Sequence, residues 1–398
     1  MQARYDMVIV GAGPAGLSLA CLAGAAGLKI AVVDEQREEQ LAAPAYDGRD
    51  IALTHRSVEC LKQAGVWGTI AAADIAPIRR ACVKNAGDTS LLTFDPNGTG
   101  EAALGYLVSN QVLRAALYAA AKLSGTIELV TGEAAEGLKL DGAPAEVSLA
   151  SGKVLAARLI VAADSRFSKL RRMAGIGADI RDFGRVCIVC RMKHEQAHDG
   201  TAYEWFDTDQ TLAVLPLNNR ESSIVLTLPT TAAARAMELP APAFSADVER
   251  RFARRWGAME LSGARHAYPL VGVYADRFVA KRFALIGDAA VGMHPVTAHS
   301  FNFGLRGAAS LAARVGAAAR AGVDIGSASL LEAYDREHRR ATLALYGATN
   351  ALVRLYTDNG AAARLARSGI LRLGERMTPI KNLMLRRLME VDAKPALT

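Results

Sequence analysis

The sequence predicts an α/β protein: a Rossmann-like nucleotide-binding domain, an antiparallel sheet inserted into it, and helices at the C-terminal end. Three observations carry that prediction. A strand, a glycine turn, a helix and a second strand fill the first 35 residues. Fully apolar strands of the same kind return at Leu159 to Ala163 and Phe283 to Ile286. Between them, residues 183–228 switch to strands of alternating polarity. Unbroken apolar runs mark strands buried on both faces, whereas a period of two marks a sheet with one face exposed.

Met7 to Val10 is the first buried strand, Gly16 to Ala26 a small-residue helix, and Lys29 to Val33 the next strand, ending at Asp34-Glu35. Leu41 to Asp50 is rich in Ala, Pro and Gly and reads as loop; Thr54 to Ala64 regains helical periodicity. Cys82 to Phe94 reads as two short strands, Asn110 to Leu123 as a helix, and Ile127 to Leu149 as strands around turns at Gly132 and Gly142. The alternating strands are Val186 to Met192, Ala202 to Phe206, Leu212 to Pro216 and Ser222 to Leu228. A helix over Ser245 to Trp256 follows, with long helices at Gly304 to Ala321 and Leu330 to Tyr356. The expected layout is a nucleotide-binding domain in three pieces (1–75, 98–182 and 278–345), an inserted domain (76–97 and 183–277), and a helical segment over 346–398.

A net charge of +7 is modest for 398 residues and suits an anionic cofactor. No aromatic-interleaved basic patch is present, which argues against nucleic acid. Five scattered cysteines make no disulfide framework and point to a reducing compartment. The chain enters its first strand at once, leaving no room for a signal peptide, and no apolar run reaches the roughly 20 residues that span a bilayer. The expectation is a cytoplasmic protein.

Three segments carry chemistry. In Gly11-Ala12-Gly13-Pro14-Ala15-Gly16, Gly11 permits a tight turn, Gly13 lets the backbone approach a pyrophosphate, and Gly16 lets helix and strand pack closely. The helix start offers N–H groups and a positive dipole end to phosphates. Glu35, beside Asp34 at the end of the second strand, is placed to accept both ribose hydroxyls, and an acid there disfavours a 2′-phosphate. In the second segment, Leu285 to Ala290, Asp288 stands at the carboxyl edge of the sheet, where it can bind ribityl hydroxyls. A helix start near Asn302 to Gly304 would offer N–H groups to the pyrimidine end of a flavin. The third, Val161 to Arg166, is again a strand followed by a polar turn, at Asp164-Ser165. Together they indicate FAD rather than a nicotinamide cofactor.

From about residue 5 to 390 the chain resembles the flavin-dependent aromatic hydroxylases of the p-hydroxybenzoate hydroxylase type. Within them it is most similar to the hydroxylases of ubiquinone biosynthesis. The narrower likeness rests on Gly48 to Leu53, Leu104 to Asn110, His198 to Glu204, Leu215 to Leu217 and Gly287 to Gly307. The resemblance implies a monooxygenase in which NAD(P)H reduces FAD, O₂ is held as a flavin C4a-hydroperoxide, and one oxygen passes to a phenol ring. It implies a prenylated phenol as substrate, an apolar channel for which Tyr203, Trp205 and Phe206 are candidates, and Asn110 among the FAD contacts; Arg49 reads as a contact to FAD phosphate or flavin, the alternative being a plain surface salt bridge. With no second glycine motif, NAD(P)H binds transiently or electrons come from elsewhere. His294, before Pro295, is the candidate polar or proton-handling group near the flavin; the alternative is a neutral histidine hydrogen-bonded within its loop. Other open readings are a hydroxylase of another aromatic, an FAD-dependent prenyl reductase, and a flavin-binding assembly subunit without turnover.

The chain departs from the family pattern at three places. Asp164-Ser165 stands for Asp-Gly, the loop Pro295 to Asn302 lacks two glycines, and Leu226 stands where relatives often carry Trp, implying a reshaped substrate wall. Cys187 and Cys190 sit on opposite faces of one strand and read as core residues, and His194 and His198 as solvated loop histidines; no metal site is expected. Residues 361–387 are strongly basic, with Ile380, Met384 and Leu388 at helical spacing. That segment can lie on anionic lipid at the inner membrane, or pack on its own core or on a partner such as a ubiquinone-biosynthesis complex; oligomeric state is left open.

Overall fold

The apolar runs of the first reading pair into one sheet. The computed structural model describes residues 4–85, 91–207, 209–293, 300–357, 375 and 377–390. Tyr5–Val10 lies between Val154–Ala162 and Ile30–Asp34, all parallel. Phe283–Leu285 adds beyond Val154–Ala162, and Ile127–Thr131 beyond Ile30–Asp34. Helix Pro14–Ala25 is apolar on all sides because it is sandwiched, packing against Ser300–Arg320 and Asn110–Leu123 as well as the sheet. Thr54 starts the helix His55–Gln63 by accepting the Ser57 N–H on its hydroxyl.

The second sheet runs in the order Val291–Gly292, Met259–Ala275, Ala178–His194, Glu221–Pro229, Gln210–Pro216, Thr201–Asp207, Arg80–Asn85, Leu91–Phe94. Its strands are antiparallel except Thr201–Asp207 with Arg80–Asn85, which run parallel because the latter arrives from a distant part of the chain. Helices Thr230–Glu238 and Ala241–Arg251 cover one face, burying Phe244, Phe252 and Trp256 against Ile188, Leu212 and Leu226. The second helix starts earlier than expected, since Pro240 precedes it and Pro242 occupies its first turn. A small sheet of Asp50–Leu53, Gly105–Ser109 and Ala76–Ile78 joins the two layers.

Two elements depart from the sequence reading. Met259–Ala275 is a 17-residue strand with no regular alternation of burial, because it crosses from solvent into the contact between the sheets. It ends beside the candidate site, where Val273 and Tyr274 pair with Gly292 and Val291. A short helix, Glu38–Ala42, takes in the first two residues of the expected loop, Leu41 and Ala42.

Candidate functional site

The three chemistry-bearing segments meet at the carboxyl edge of the parallel sheet. Gly11 adopts φ +111°, and a Cβ there would run into the Ala163 carbonyl, so this turn closes only on glycine. Gly16 lies against the Gly11 carbonyl and the Ala163 methyl. Ala15 reaches the second segment: its methyl is 2.9 Å from where a side chain on Gly287 (φ +61°) would begin, and 3.5 Å from the same point on Gly304. Arg171 ties the third segment to the second, donating to the carbonyls of Ala289 (2.9 Å) and Arg166 (3.1 Å).

This junction fits a dinucleotide. Gly13 precedes the helix Pro14–Ala25 without any side-chain cap, and nothing lies within 4 Å of its Cβ position. The first-turn N–H groups and an open flank thus face the same space, which suits a pyrophosphate. Of the two adjacent acids, Asp34 meets the glycine turn: Ala12 N–H donates to its Oδ2 at 2.6 Å, and Gln36 N–H to its Oδ1 at 2.8 Å. Glu35, the next residue past the strand end, is exposed.

Asp288 is half-buried and held from two sides, by Arg166 Nη2 at 3.0 Å and the Ser300 hydroxyl at 2.9 Å. Arg166, which sequence reasoning passed over, also donates to the Val271 carbonyl at 3.1 Å and so links the site to the second sheet. Asp164 Oδ2 accepts the Lys169 N–H at 2.9 Å, while its Oδ1 is buried without a partner. An orphaned carboxylate oxygen beside the glycine turn is a further place for a donor from a bound group.

Arg49 does not project freely. It pairs with Asp47 at 2.5 Å, and its guanidinium lies over the Tyr268 ring, 5.5 Å from the centroid. Asn110 Nδ2 donates to the same Asp47 carboxylate at 2.8 Å, and the Tyr268 hydroxyl donates to the Asp47 carbonyl at 2.6 Å. Burial pushes the Asp47 carboxyl up, but Arg49 and Asn110 outweigh it and hold the group below its usual range. Asp47 and Tyr268 were not among the expected site residues.

Asn302 is buried and spent on the backbone: its Oδ1 accepts the Thr54 N–H at 3.1 Å, and its Nδ2 donates to the Ala52 carbonyl at 2.9 Å. Its side chain therefore positions the start of Ser300–Arg320. His294, Pro295, His299 and most of the atypical loop lie outside the described residues.

The second sheet turns one face to this junction. Gly48 stands against Val189 and His266, Tyr46 packs edge-on to the His266 ring at 5.7 Å, and Arg191 pairs with the buried Asp50. The opposite face belongs to the covering helices, which corrects two expectations. Tyr203 and Trp205 pack with Trp256 and Phe252 on that helix side, and Leu226 is wholly buried there. None of the three lines a channel toward the flavin segments. Phe206, of opposite parity, is buried on the other face. Cys187 and Cys190 do fall in separate clusters, as expected.

His194 is buried rather than solvated. Its Nδ1 donates to the Gln196 carbonyl at 2.7 Å, so its Nε2 accepts from the Ser222 hydroxyl at 2.8 Å; burial lowers its pKa and keeps it neutral. His198 is likewise satisfied by the Leu217 carbonyl and the Gly200 N–H. No metal-holding cluster occurs among the described residues. A cleft of about 550 Å³ lined by His55, Trp67, Glu101 and Tyr106 includes no residue of the three converging segments.

Comparison with known proteins agrees with this geometry. The FAD binding domain family matches residues 4–348. Over 392 residues the chain is 42% identical to the ubiquinone hydroxylase UbiM of Neisseria meningitidis, spanning 98% of this chain and 85% of that protein. It is 35% identical over 384 residues to the ubiquinone hydroxylase UbiL of Rhodospirillum rubrum, spanning 96% and 89%. The crystal structure of PqsL from Pseudomonas aeruginosa, in complex with 2-aminobenzoylacetate, shares the fold. Its TM-score is 0.79 at 21% identity, over 92% of this chain and 99% of that one.

Proposed function

The chain belongs to the FAD binding domain family, and from that premise we propose that it is an FAD-dependent monooxygenase hydroxylating the ring of a ubiquinone precursor, a polyprenylated phenol. The observation that carries this reading is the meeting of three flavin-type segments beneath one face of a second, separate sheet. Kinship over nearly the whole chain with two ubiquinone hydroxylases supplies the substrate class.

The residues divide the work by place. The first turn of Pro14–Ala25 would receive the pyrophosphate, Asp34 the adenosine ribose, and Asp288 the ribityl chain. Backbone N–H groups near Asn302 to Gly304 would hold the pyrimidine end of the flavin. Bound FAD, reduced by NAD(P)H, supplies the activation of O₂. The protein holds the ring between the flavin segments and the sheet face carrying Val189, Val225 and Tyr268, and keeps water out. Arg49, locked by Asp47 and Tyr268, ties that face to the cofactor segments.

The test is turnover of a 2-polyprenylphenol by purified holoprotein with NAD(P)H under ¹⁸O₂. One labelled oxygen in the ring product is expected. NAD(P)H oxidation that is never coupled to product, across a series of prenylphenols, would end the reading.

The helix Thr378–Met389 favours a peripheral site on anionic lipid. Leu385 and Met389 anchor it on Leu92 and Phe94, while Leu383 (60% exposed), Met384 (38%) and Leu388 (40%) face outward near Lys381 and Arg386. Among the described residues no helix is long and apolar enough to cross a membrane. Co-flotation with phosphatidylglycerol vesicles, lost in Leu383→Glu/Leu388→Glu, is the expected result; flotation unchanged by the double substitution would refute it.

A further inference from the structure

Among the described residues, one carboxylate on the inward face of the second sheet has no partner. Glu204 lies on Thr201–Asp207 opposite Ala213, which is opposite Val225, then Val189, then His266. Residues directly opposite in a ladder share a face, so Glu204 points to the side of the sheet that meets the flavin segments. Three further contacts enclose that face. Ala202 and Leu215 pack with Ala52, Leu104 and Leu107; Val83 packs with Leu385 and Met389; and Val189 abuts Gly48.

Among the described residues, the Glu204 side chain makes no hydrogen bond and no ion pair. It is surrounded by protein and yet retains accessible surface, the combination expected of a wall residue in an internal cleft. The residues opposite it in the ladder, Ala213 and Val83, cannot donate to it, and the nearby Cys187 thiol on the same face is hydrogen-bonded to Thr227. A buried carboxyl left unpaired is costly, and proteins keep one where a ligand completes it.

We propose that Glu204 is the catalytic residue that receives the substrate's phenolic hydroxyl, accepting its hydrogen bond on binding and its proton as the ring is oxygenated. This rests on the phenol-hydroxylase reading above. The phenol O–H bond breaks toward a Glu204 oxygen, which leaves the electron pair on the ring oxygen and enriches the ring carbons ortho and para to it. One of these carbons takes one atom of O₂ and then loses its hydrogen as a proton, restoring aromaticity. The phenolic oxygen takes its own proton back from Glu204. The second oxygen atom leaves as water, with two electrons from the nicotinamide reductant. Burial pushes the Glu204 carboxyl up to about 8, closer to a phenol at about 10 than an ordinary carboxylate is. Transfer of the proton in either direction is correspondingly easier.

The experiment compares two probes on the oxidised holoenzyme, 2-prenylphenol and its methyl ether, with binding read from the flavin absorbance. At pH 9, above the Glu204 value and below that of the phenol, wild type should prefer the phenol by about tenfold or more, the worth of one charge-assisted hydrogen bond. Glu204→Ala should bind the ether as wild type does and lose the preference, with kcat on the phenol down by about 100-fold or more. Glu204→Gln preserves shape and should retain binding without turnover. Full FAD content and an unchanged unfolding temperature confirm that both variants fold. A phenol preference that survives in Glu204→Ala overturns the assignment. If wild type hydroxylates 2-prenylphenol and the variants match it, Glu204 alone is refuted. If wild type ignores both probes, the phenol reading itself fails and takes the assignment with it.

Discussion

The Asp34 carboxylate accepts the Ala12 N–H at 2.6 Å, joining the end of the second strand to the middle of the glycine turn. The contact fixes the acid at the mouth of the pyrophosphate space, and Glu35 has no such contact. Asp34→Ala should weaken FAD binding about 10- to 100-fold, the worth of one or two hydrogen bonds to a charged group. Glu35→Gln should leave it nearly unchanged. Flavin retained through gel filtration, and titration of apoprotein with FAD, read both; equal losses would refute the distinction.

Gly11 and Gly13 should fail in different ways. Gly11→Ala sets a methyl against the Ala163 carbonyl in a left-handed turn, so the apoprotein loses stability by about 1–3 kcal/mol. Gly13→Ala meets nothing within 4 Å, so the apoprotein keeps its unfolding temperature while FAD affinity falls. Thermal unfolding of the two apoproteins, with and without added FAD, separates these outcomes.

Asn302 acts as a clamp. Asn302→Ala strands the buried Thr54 N–H and Ala52 carbonyl, a loss of about 1–3 kcal/mol that shifts the urea midpoint of the apoprotein. Asn302→Asp should not rescue it, because the carboxylate cannot donate to Ala52.

Glu204 imposes a pH dependence on stability. Its pKa is pushed up to about 8 in the folded protein by burial, against about 4.3 in an unfolded chain. Below the unfolded value both states are protonated and no difference arises. Between the two values the unfolded chain has released a proton that the folded chain keeps, so stability falls as pH rises, levelling above the folded value. Glu204→Gln removes this slope. The difference in apoprotein unfolding temperature between Glu204→Gln and wild type should be near zero at pH 4 and grow toward pH 8.

Leu226 is closed in beneath the covering helices, away from the flavin segments. Leu226→Trp should overpack that layer and cost about 1–3 kcal/mol. The preference among prenylphenols of different chain length should be unchanged in the surviving holoenzyme.

The nucleotide half of this protein was legible in its sequence because its signals are local. A buried strand, a glycine turn and a helix start lie within a few residues of one another at Gly11 to Gly16, and a strand end precedes the turn at Asp164 and at Asp288. Backbone sterics and apolar periodicity settle such units before anything distant is known. Tertiary structure alone decided the rest. That Tyr203 and Trp205 face the covering helices while Glu204 faces the flavin segments depends on which face of the sheet those helices cover. That is a long-range choice, and alternation only sorts residues into two sets without saying which set is inner. The Asp47, Arg49, Asn110 and Tyr268 cluster likewise brings together residues up to 221 positions apart. Met259–Ala275 escaped notice because its environment changes along its length, from solvent to the contact between sheets, which leaves no period to read.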